Sequence, residues 1–148
     1  MKPSASDTRW LELMEVLTVG LPFCGFKVLA GLSFSGVGGA PLVALGAIDA
    51  VINTVNVLGL LFARRRLLPA CAFSVAARLL PSRRPAPSRE DLGNALDVLF
   101  SFSLVALMIG GDRLRLLQPR HLSGWNVCVI INVLGAGLGW LGQSLRGA

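Results

Sequence analysis

The chain has 148 residues, of which 53% are hydrophobic and 15% are charged, and its formal net charge is +6. Soluble domains usually carry about 25% charged residues, so this composition and the long apolar segments exclude an ordinary soluble domain and indicate an integral membrane protein. A single histidine and the wide spacing of Cys24, Cys71 and Cys128 argue against a metal site. The lack of tyrosine argues against a nucleic-acid partner. Any cofactor is unknown.

Four apolar segments are long enough to cross a bilayer core of about 30 Å as helices. They cover residues 14–34, 41–63, 91–111 and 124–145. The connections within the first pair and within the last pair are short, which predicts two antiparallel helical hairpins, residues 10–63 and 91–145. We therefore predict an all-α fold, an integral membrane four-helix bundle that forms a single domain over residues 1–148.

The first apolar segment follows acidic residues, whereas a signal peptide begins with basic ones. Asp7, Glu12 and Glu15 occupy this region, so we expect a retained membrane anchor. Within the segment, Gly20 and Pro22 predict a local break in the helix that frees a backbone carbonyl for a polar partner.

The second apolar segment carries three polar residues on one helix face. Asp49, Asn53 and Asn56 have the spacing i, i+4, i+7, which places them within about 60° of each other around a helix. A carboxylate at this depth in a bilayer is costly, so it normally faces other helices or water. The face therefore predicts a polar seam inside the bundle.

The third segment presents a polar face with the same spacing. Read inward from the long loop, Asn94, Asp97 and Ser101 match the second segment read from that side. The match predicts hydrogen bonds between the two faces, worth about 0.6 kcal/mol each on average. Lys27 in the first segment either pairs with Asp49 or extends to the membrane surface. Together with a residue of the fourth segment, the candidate polar seam is Lys27, Asp49, Asn53, Asn56, Asn94, Asp97, Ser101 and Asn132.

The connection over residues 64–90 is long and basic. Its apolar stretch at about 67–80 is too short to span a membrane, which predicts a short interfacial helix or a re-entrant piece. Ten Lys and Arg residues share the side of this loop and of both termini, against three on the opposite side. The loop and both termini are therefore predicted to be cytoplasmic. The arginines expected to contact anionic lipid headgroups are Arg64, Arg65, Arg66, Arg78, Arg83 and Arg84.

Two functions compete at this point. No nucleophile, base and orienting group occur together, so no catalytic residue is assigned and an enzyme is the least favoured interpretation. The small size favours a structural or accessory subunit that packs in a larger membrane complex or homo-oligomer. The alternative is a small dimeric transporter, or a proton or ion conductor, that uses the Asp, Asn and Lys side chains of the seam. The expected partners are membrane lipid, other membrane subunits or a second copy of the chain.

Overall fold

A computed structural model describes residues 5–34, 38–81 and 85–147, and it describes side chains there except at 5–8, 86–87 and 139–147. These residues form helices and no strand. Four helices are long and apolar enough to cross a membrane, and we call them spans 1 to 4: Arg9–Ser33, Gly39–Ala63, Ser88–Gly110 and Pro119–Leu138. The predicted all-α four-helix bundle is confirmed, and the chain is a multi-pass integral membrane protein.

The helices extend beyond the apolar segments that identified them. Span 1 combines α1 (Ala5–Glu15), a π-helical turn (Val16–Gly20) and α2 (Leu21–Ser33). Span 2 combines α3 (Gly39–Leu58) with a π-helical turn (Gly59–Ala63). The remaining helices are α4 (Ala72–Leu79), α5 (Ala86–Gly110), a 3-10 turn (Arg113–Leu116) and α6 (Pro119–Gly147). Each span begins a few residues before its predicted start, because backbone hydrogen bonds continue a helix through polar residues that hydropathy rejects.

The break predicted at Pro22 has the expected consequence. Pro22 lies at the start of α2, and its missing N–H cannot bond to the carbonyl of Thr18, one turn earlier. That carbonyl accepts a hydrogen bond from Nδ2 of Asn132 in span 4 (3.1 Å). A carbonyl is therefore freed for a polar partner, as predicted, and the bond attaches span 4 to span 1.

Span 1 is the central helix of the bundle. Among the described helices, spans 2, 3 and 4 all pack more closely on span 1 than on each other. An apolar cluster lies where spans 1, 3 and 4 meet, and the ring centroids of Phe26 and Trp125 are 4.8 Å apart within it. The buried members of this apolar cluster are Phe23, Phe26, Leu29, Ala30, Leu104, Met108, Leu117 and Trp125.

The long loop turns back into the protein after span 2. Arg64 adopts the left-handed conformation (φ 59°) and reverses the chain. Residues 67–71, which we call the re-entrant segment, are irregular and lead into α4. The helix predicted over 67–80 is therefore shorter, covering Ala72–Leu79. The difference arises because side chains of span 2 bind the backbone of the re-entrant segment in place of helical hydrogen bonds, as described below.

Candidate functional site

Lys27 lies between two carboxylates at the centre of the bundle. Its ammonium Nζ is 2.5 Å from Oδ2 of Asp49 in span 2 and also donates to Oδ1 of Asp97 in span 3. The Lys27 side chain has no exposed surface, so this lysine does not extend to the membrane surface. Of the two alternatives from the sequence, the structure contains the pair with Asp49 and adds Asp97 as a second partner.

A glycine allows span 2 to approach Lys27 closely. Gly46 lies one turn before Asp49, and a Cβ atom at this position would meet the carbonyl oxygen of Cys24 at 2.8 Å and the Cβ atom of Lys27 at 3.0 Å. Any larger side chain at residue 46 would push the two helices apart. The small residue thus brings the carboxylate of Asp49 within reach of the ammonium.

The cluster of Lys27, Asp49 and Asp97 has more carboxylates than cations. With all three groups ionised, its charge is +1 − 1 − 1 = −1, and all three side chains are at least nine-tenths buried. An unbalanced charge inside a membrane protein is costly unless a counter-charge neutralises it. The cluster becomes neutral when it takes up one proton or one monovalent cation.

The second oxygen of Asp49 accepts a hydrogen bond from the start of α4. The backbone N–H of Ala72, the first residue of that helix, donates to Oδ1 of Asp49 over 2.7 Å. Asp49 lies 14 residues before Ala63, or about 21 Å along the helix at 1.5 Å per residue. The re-entrant segment therefore returns deep along span 2, and α4 directs its positive N-terminal end at a carboxylate.

Asn56 holds the re-entrant segment against span 2. Its Oδ1 accepts hydrogen bonds from the backbone N–H groups of Leu67 (3.1 Å) and Leu68 (2.8 Å), and its Nδ2 donates to the Pro69 carbonyl (3.3 Å). Asn56 has no exposed surface. Its amide thus satisfies backbone groups that have left the helix, which is a structural role distinct from the seam predicted from the sequence.

The prediction of hydrogen bonds between the polar faces of spans 2 and 3 is wrong, since no such bond forms among the described residues. Asn53 donates instead to the Asp49 carbonyl (2.9 Å) and to Sγ of Cys24 (3.4 Å). Ser101 is fully buried, and its hydroxyl has no partner among the described residues. The two faces do not meet because span 1 lies between them, and its Lys27 side chain contacts both carboxylates.

Two further members of the predicted seam have different positions. Asn94 is half-buried and lies on the wall of a cavity beside Asp97. Asn132 is half-buried too, but it bonds to the Thr18 carbonyl rather than to a member of the cluster. The structure thus brings together Lys27, Asp49 and Asp97, with Asn53 and Asn94 nearby, and places Asn56, Ser101 and Asn132 in separate settings.

A small cavity leads from the loop side of the bundle to the cluster. Its volume is about 40 Å³, which exceeds the roughly 10–15 Å³ that one water molecule requires. Lys27, Asp49 and Asp97 lie at its inner end, whereas Glu15 and Arg66 line it where the surface is reached. Water can therefore approach the carboxylates from this side.

An ion pair lies at the mouth of the cavity. The guanidinium of Arg66 is 2.7 Å from the carboxylate of Glu15 and 3.5 Å from that of Glu12. The pair joins the long loop to the first turns of span 1, so both lie at the same end of the bundle. The walls also include Ala70 and Cys71 of the re-entrant segment, which sequence patterns did not identify because no periodicity marks an irregular segment.

The opposite side of the cluster is closed by apolar side chains. Leu29 and Ala30 follow Lys27 along span 1, and Leu104 and Met108 follow Asp97 along span 3. Trp125, at the beginning of span 4, packs on the same cluster and is 2% exposed. Among the described residues, the cavity reaches the carboxylates from the loop side, and apolar side chains cover them on the opposite side.

The arginines predicted to contact lipid differ in their surroundings. Arg64 and Arg65 are exposed. Arg66 pairs with acidic residues of span 1, and Arg78 pairs with Glu90 (Nε–Oε2 3.0 Å). The two remaining candidates, Arg83 and Arg84, lie outside the described residues.

The three cysteines are free thiols, and Cys24 and Cys71 are buried on the cavity wall. Burial raises the pKa of the Cys71 thiol above its ordinary value, so little thiolate forms near neutral pH. In the described residues, no group of three His, Cys, Asp or Glu side chains is arranged to hold a metal ion. Around the cluster the cavity is thus lined by one ammonium, two carboxylates, two amides and two buried thiols, with Glu15 and Arg66 at its mouth.

In comparison with known proteins, no family model, no curated protein and no solved structure matches the chain. The features that bear on its function are the cluster of Lys27, Asp49 and Asp97 and the cavity that leads to it.

Proposed function

We propose that this protein is a small membrane carrier or conductor that binds a proton or a small monovalent cation at Lys27, Asp49 and Asp97. The observation that carries the proposal is that two buried carboxylates share one ammonium. Such a site is neutral only when it holds one further positive charge, and intramembrane ionisable groups with access to water typically mark a transport pathway.

The cavity supports the proposal because it supplies a path for the ion. It joins the buried carboxylates to the polar mouth at Glu15 and Arg66, whereas the other side is closed by apolar side chains. A purely structural salt bridge needs no such access. A transport cycle requires a second arrangement in which the apolar side opens, as expected for a carrier with two accessible states.

We further propose that the mouth of the cavity, the long loop and both termini are cytoplasmic, following the distribution of Lys and Arg. In this orientation the exposed guanidinium groups of Arg64 and Arg65 lie near the anionic headgroups of the inner leaflet. Arg66 is less available to lipid because it is paired with Glu12 and Glu15.

Flux measurements test the transport function. The purified chain is reconstituted in liposomes that contain a fluorescent indicator of H⁺, Na⁺ or K⁺, and a gradient of the matching ion is imposed. We expect the wild type to dissipate at least one of these gradients, and Asp97→Asn to reduce the flux to that of protein-free liposomes. Ser103→Ala, on the exposed face of the same helix, is the matched control. A folded wild type that carries none of the three ions would contradict the proposal.

A second candidate function is that of a packing subunit in a larger membrane complex. The observation that favours it is the small buried share of spans 3 and 4, which is 28% and 6% of their most apolar windows. These faces contact either lipid or other subunits, including a second copy of the chain. Size measurement in mild detergent separates the possibilities, since a discrete assembly with other proteins supports the subunit, and a monomer or homodimer opposes it.

A further inference from the structure

We propose that the species bound at the cluster is a proton and that Asp97 gains and loses it, while Asp49 stays ionised as the permanent counter-ion of Lys27. This inference rests on the proposed function and deepens it, because it names the ion and assigns different roles to the two carboxylates. It follows from the hydrogen bonds that each carboxylate accepts.

Asp49 is held in the ionised form by donors on both of its oxygens. Oδ2 accepts from the Lys27 ammonium and Oδ1 accepts from the Ala72 N–H. The Ala72 donor is also at the N-terminal end of α4, where the helix dipole favours negative charge. A proton on either oxygen would weaken the hydrogen bond that this oxygen accepts, because a protonated carboxyl oxygen is a poorer acceptor, so the two donors oppose protonation of Asp49.

Asp97 has room for a proton. Within the described part of the chain, the Lys27 ammonium is its one recorded donor, and that contact involves Oδ1 alone. The Asp97 side chain is 8% exposed, compared with 1% for Asp49, and it lines the cavity together with Asn94. Asp49 lines the same cavity, but of the four oxygens of these two carboxylates the second oxygen of Asp97 is the one without a donor among the described residues.

The proton transfer is a simple exchange with water. A hydronium ion in the cavity donates H⁺ to the second oxygen of the Asp97 carboxylate, an O–H bond forms there, and a neutral water molecule remains. The reverse step returns the proton to water. Lys27 keeps its charge throughout, so the cluster alternates between a total charge of −1 and zero.

A metal cation fits the cluster less well than a proton does. The space between the two carboxylates is already occupied by the Lys27 ammonium, so the two carboxylates cannot both ligate a metal cation there. Hard cations take several oxygen ligands, usually six or more. A proton needs a single oxygen, and Asp97 provides it.

The charged and titratable groups that face Asp97 come from all the elements around it. Lys27 and the Cys24 thiol belong to span 1, Asp49 to span 2 and the Cys71 thiol to the re-entrant segment. Arg66 and Glu15 are at the mouth of the cavity and largely neutralise each other. Lys27 is thus the dominant cation, and its attraction is divided between two carboxylates.

Infrared spectroscopy tests the assignment independently of transport. The purified chain is titrated in lipid, and the C=O stretch of a protonated carboxylic acid is followed in wild type, Asp97→Asn, Asp97→Glu and Asp49→Asn. We expect one component of the band, beside those of the exposed carboxylates, to appear as the pH falls in the wild type, to be missing in Asp97→Asn, and to return at a shifted frequency in Asp97→Glu. In Asp49→Asn the component should appear only at lower pH, because Lys27 then pairs with Asp97 alone.

The outcomes separate this inference from the proposed function. A band that is unchanged in Asp97→Asn would overturn the inference, and loss of the component in Asp49→Asn but not in Asp97→Asn would assign the proton to the other carboxylate. If the wild type carried Na⁺ or K⁺ but not protons, the inference would fail while transport stood. If the band behaved as expected but no ion crossed the membrane, Asp97 would still be the proton site and the transport function would be wrong. If Asp49→Asn does not fold, the comparison of Asp97→Asn with Asp97→Glu still tests whether Asp97 holds the proton.

Discussion

The two sides of the Lys27–Asp49–Asp97 cluster differ, because a cavity borders it toward the loop and packed, mostly apolar side chains cover it on the other side. Toward the loop, Asn94 and the mouth residues line a cavity that water can enter. Beyond the cluster, large side chains such as Met108 and Trp125 fill the space between spans 1, 3 and 4. Within the described residues, the carboxylates are therefore buried but border a cavity on the loop side, whereas apolar side chains cover them on the other side.

The largest expected effect comes from removing the shared cation. Lys27→Met leaves two buried carboxylates without a counter-charge, and breaking a buried ion pair in this way costs about 3–5 kcal/mol in the free energy of unfolding. Thermal unfolding in detergent measures the loss, and Leu32→Met on the exposed side of span 1 is the control. The double variant Lys27→Met/Asp49→Asn should recover most of the stability, because protonated Asp97 then leaves the site neutral. No recovery would show that the charge balance does not govern this site.

The apolar side is the next largest determinant of stability. Met108 has no exposed surface, and Met108→Ala should lower the free energy of unfolding by about 2–5 kcal/mol through lost burial and a new cavity. Ile109→Ala, whose side chain is 60% exposed, should change stability far less, as determined by denaturant unfolding. If the two variants were equally stable, the apolar closure would not be a packed region.

The re-entrant segment forms one wall of the polar side, and Asn56 holds it there. Asn56→Ala leaves the N–H groups of Leu67 and Leu68 without their acceptor, and we expect a loss of about 1–3 kcal/mol for the unpaired groups. Protease digestion in the segment should also become faster. Thr54→Ala, in the exposed part of the same helix, provides the reference. An unchanged digestion rate in Asn56→Ala would show that Asn56 does not hold the re-entrant segment in place.

The smallest effect on stability is expected at the mouth of the cavity. Arg66→Gln removes a partly exposed ion pair with Glu15, worth at most about 1 kcal/mol. The change should instead accelerate modification of Cys71 by a small thiol reagent, because the entrance is less obstructed. Arg65→Gln, an exposed neighbour, is the control, and equal rates in the two variants would count against an entrance at Arg66.

Much of the fold follows from composition, whereas the roles within the site do not. Hydropathy identifies the four spans because a bilayer selects apolar helices of fixed length. Spacing places Asp49, Asn53 and Asn56 on one face, and depth along the helices puts Lys27 within reach of Asp49. These relations depend on the spacing along one helix or on depth along the helices, so a sequence can reveal them.

Which helices are neighbours in the bundle depends on side-chain packing, and this packing leaves no periodic pattern in a single sequence. Span 1 lies between spans 2 and 3, so Lys27 contacts Asp97 and the expected bonds between the polar faces of those spans do not form. The partners of Asn56 and of the second Asp49 oxygen are backbone N–H groups. Every residue except proline has such a donor, and no pattern of side chains marks the ones that leave a helix.

Thiol accessibility on the two sides of the cluster tests whether the site is open toward the loop and closed on the opposite side. In a background without native cysteines, Asn94→Cys places a thiol on the cavity wall one turn before Asp97, and Ser101→Cys places one a turn beyond it. Proteoliposomes are exposed to a membrane-impermeant thiol reagent from each side in turn. We predict that Asn94→Cys reacts from the loop side only and that Ser101→Cys reacts from neither side. Rapid reaction of Ser101→Cys, or protection of Asn94→Cys from both sides, would contradict a site with access from one side.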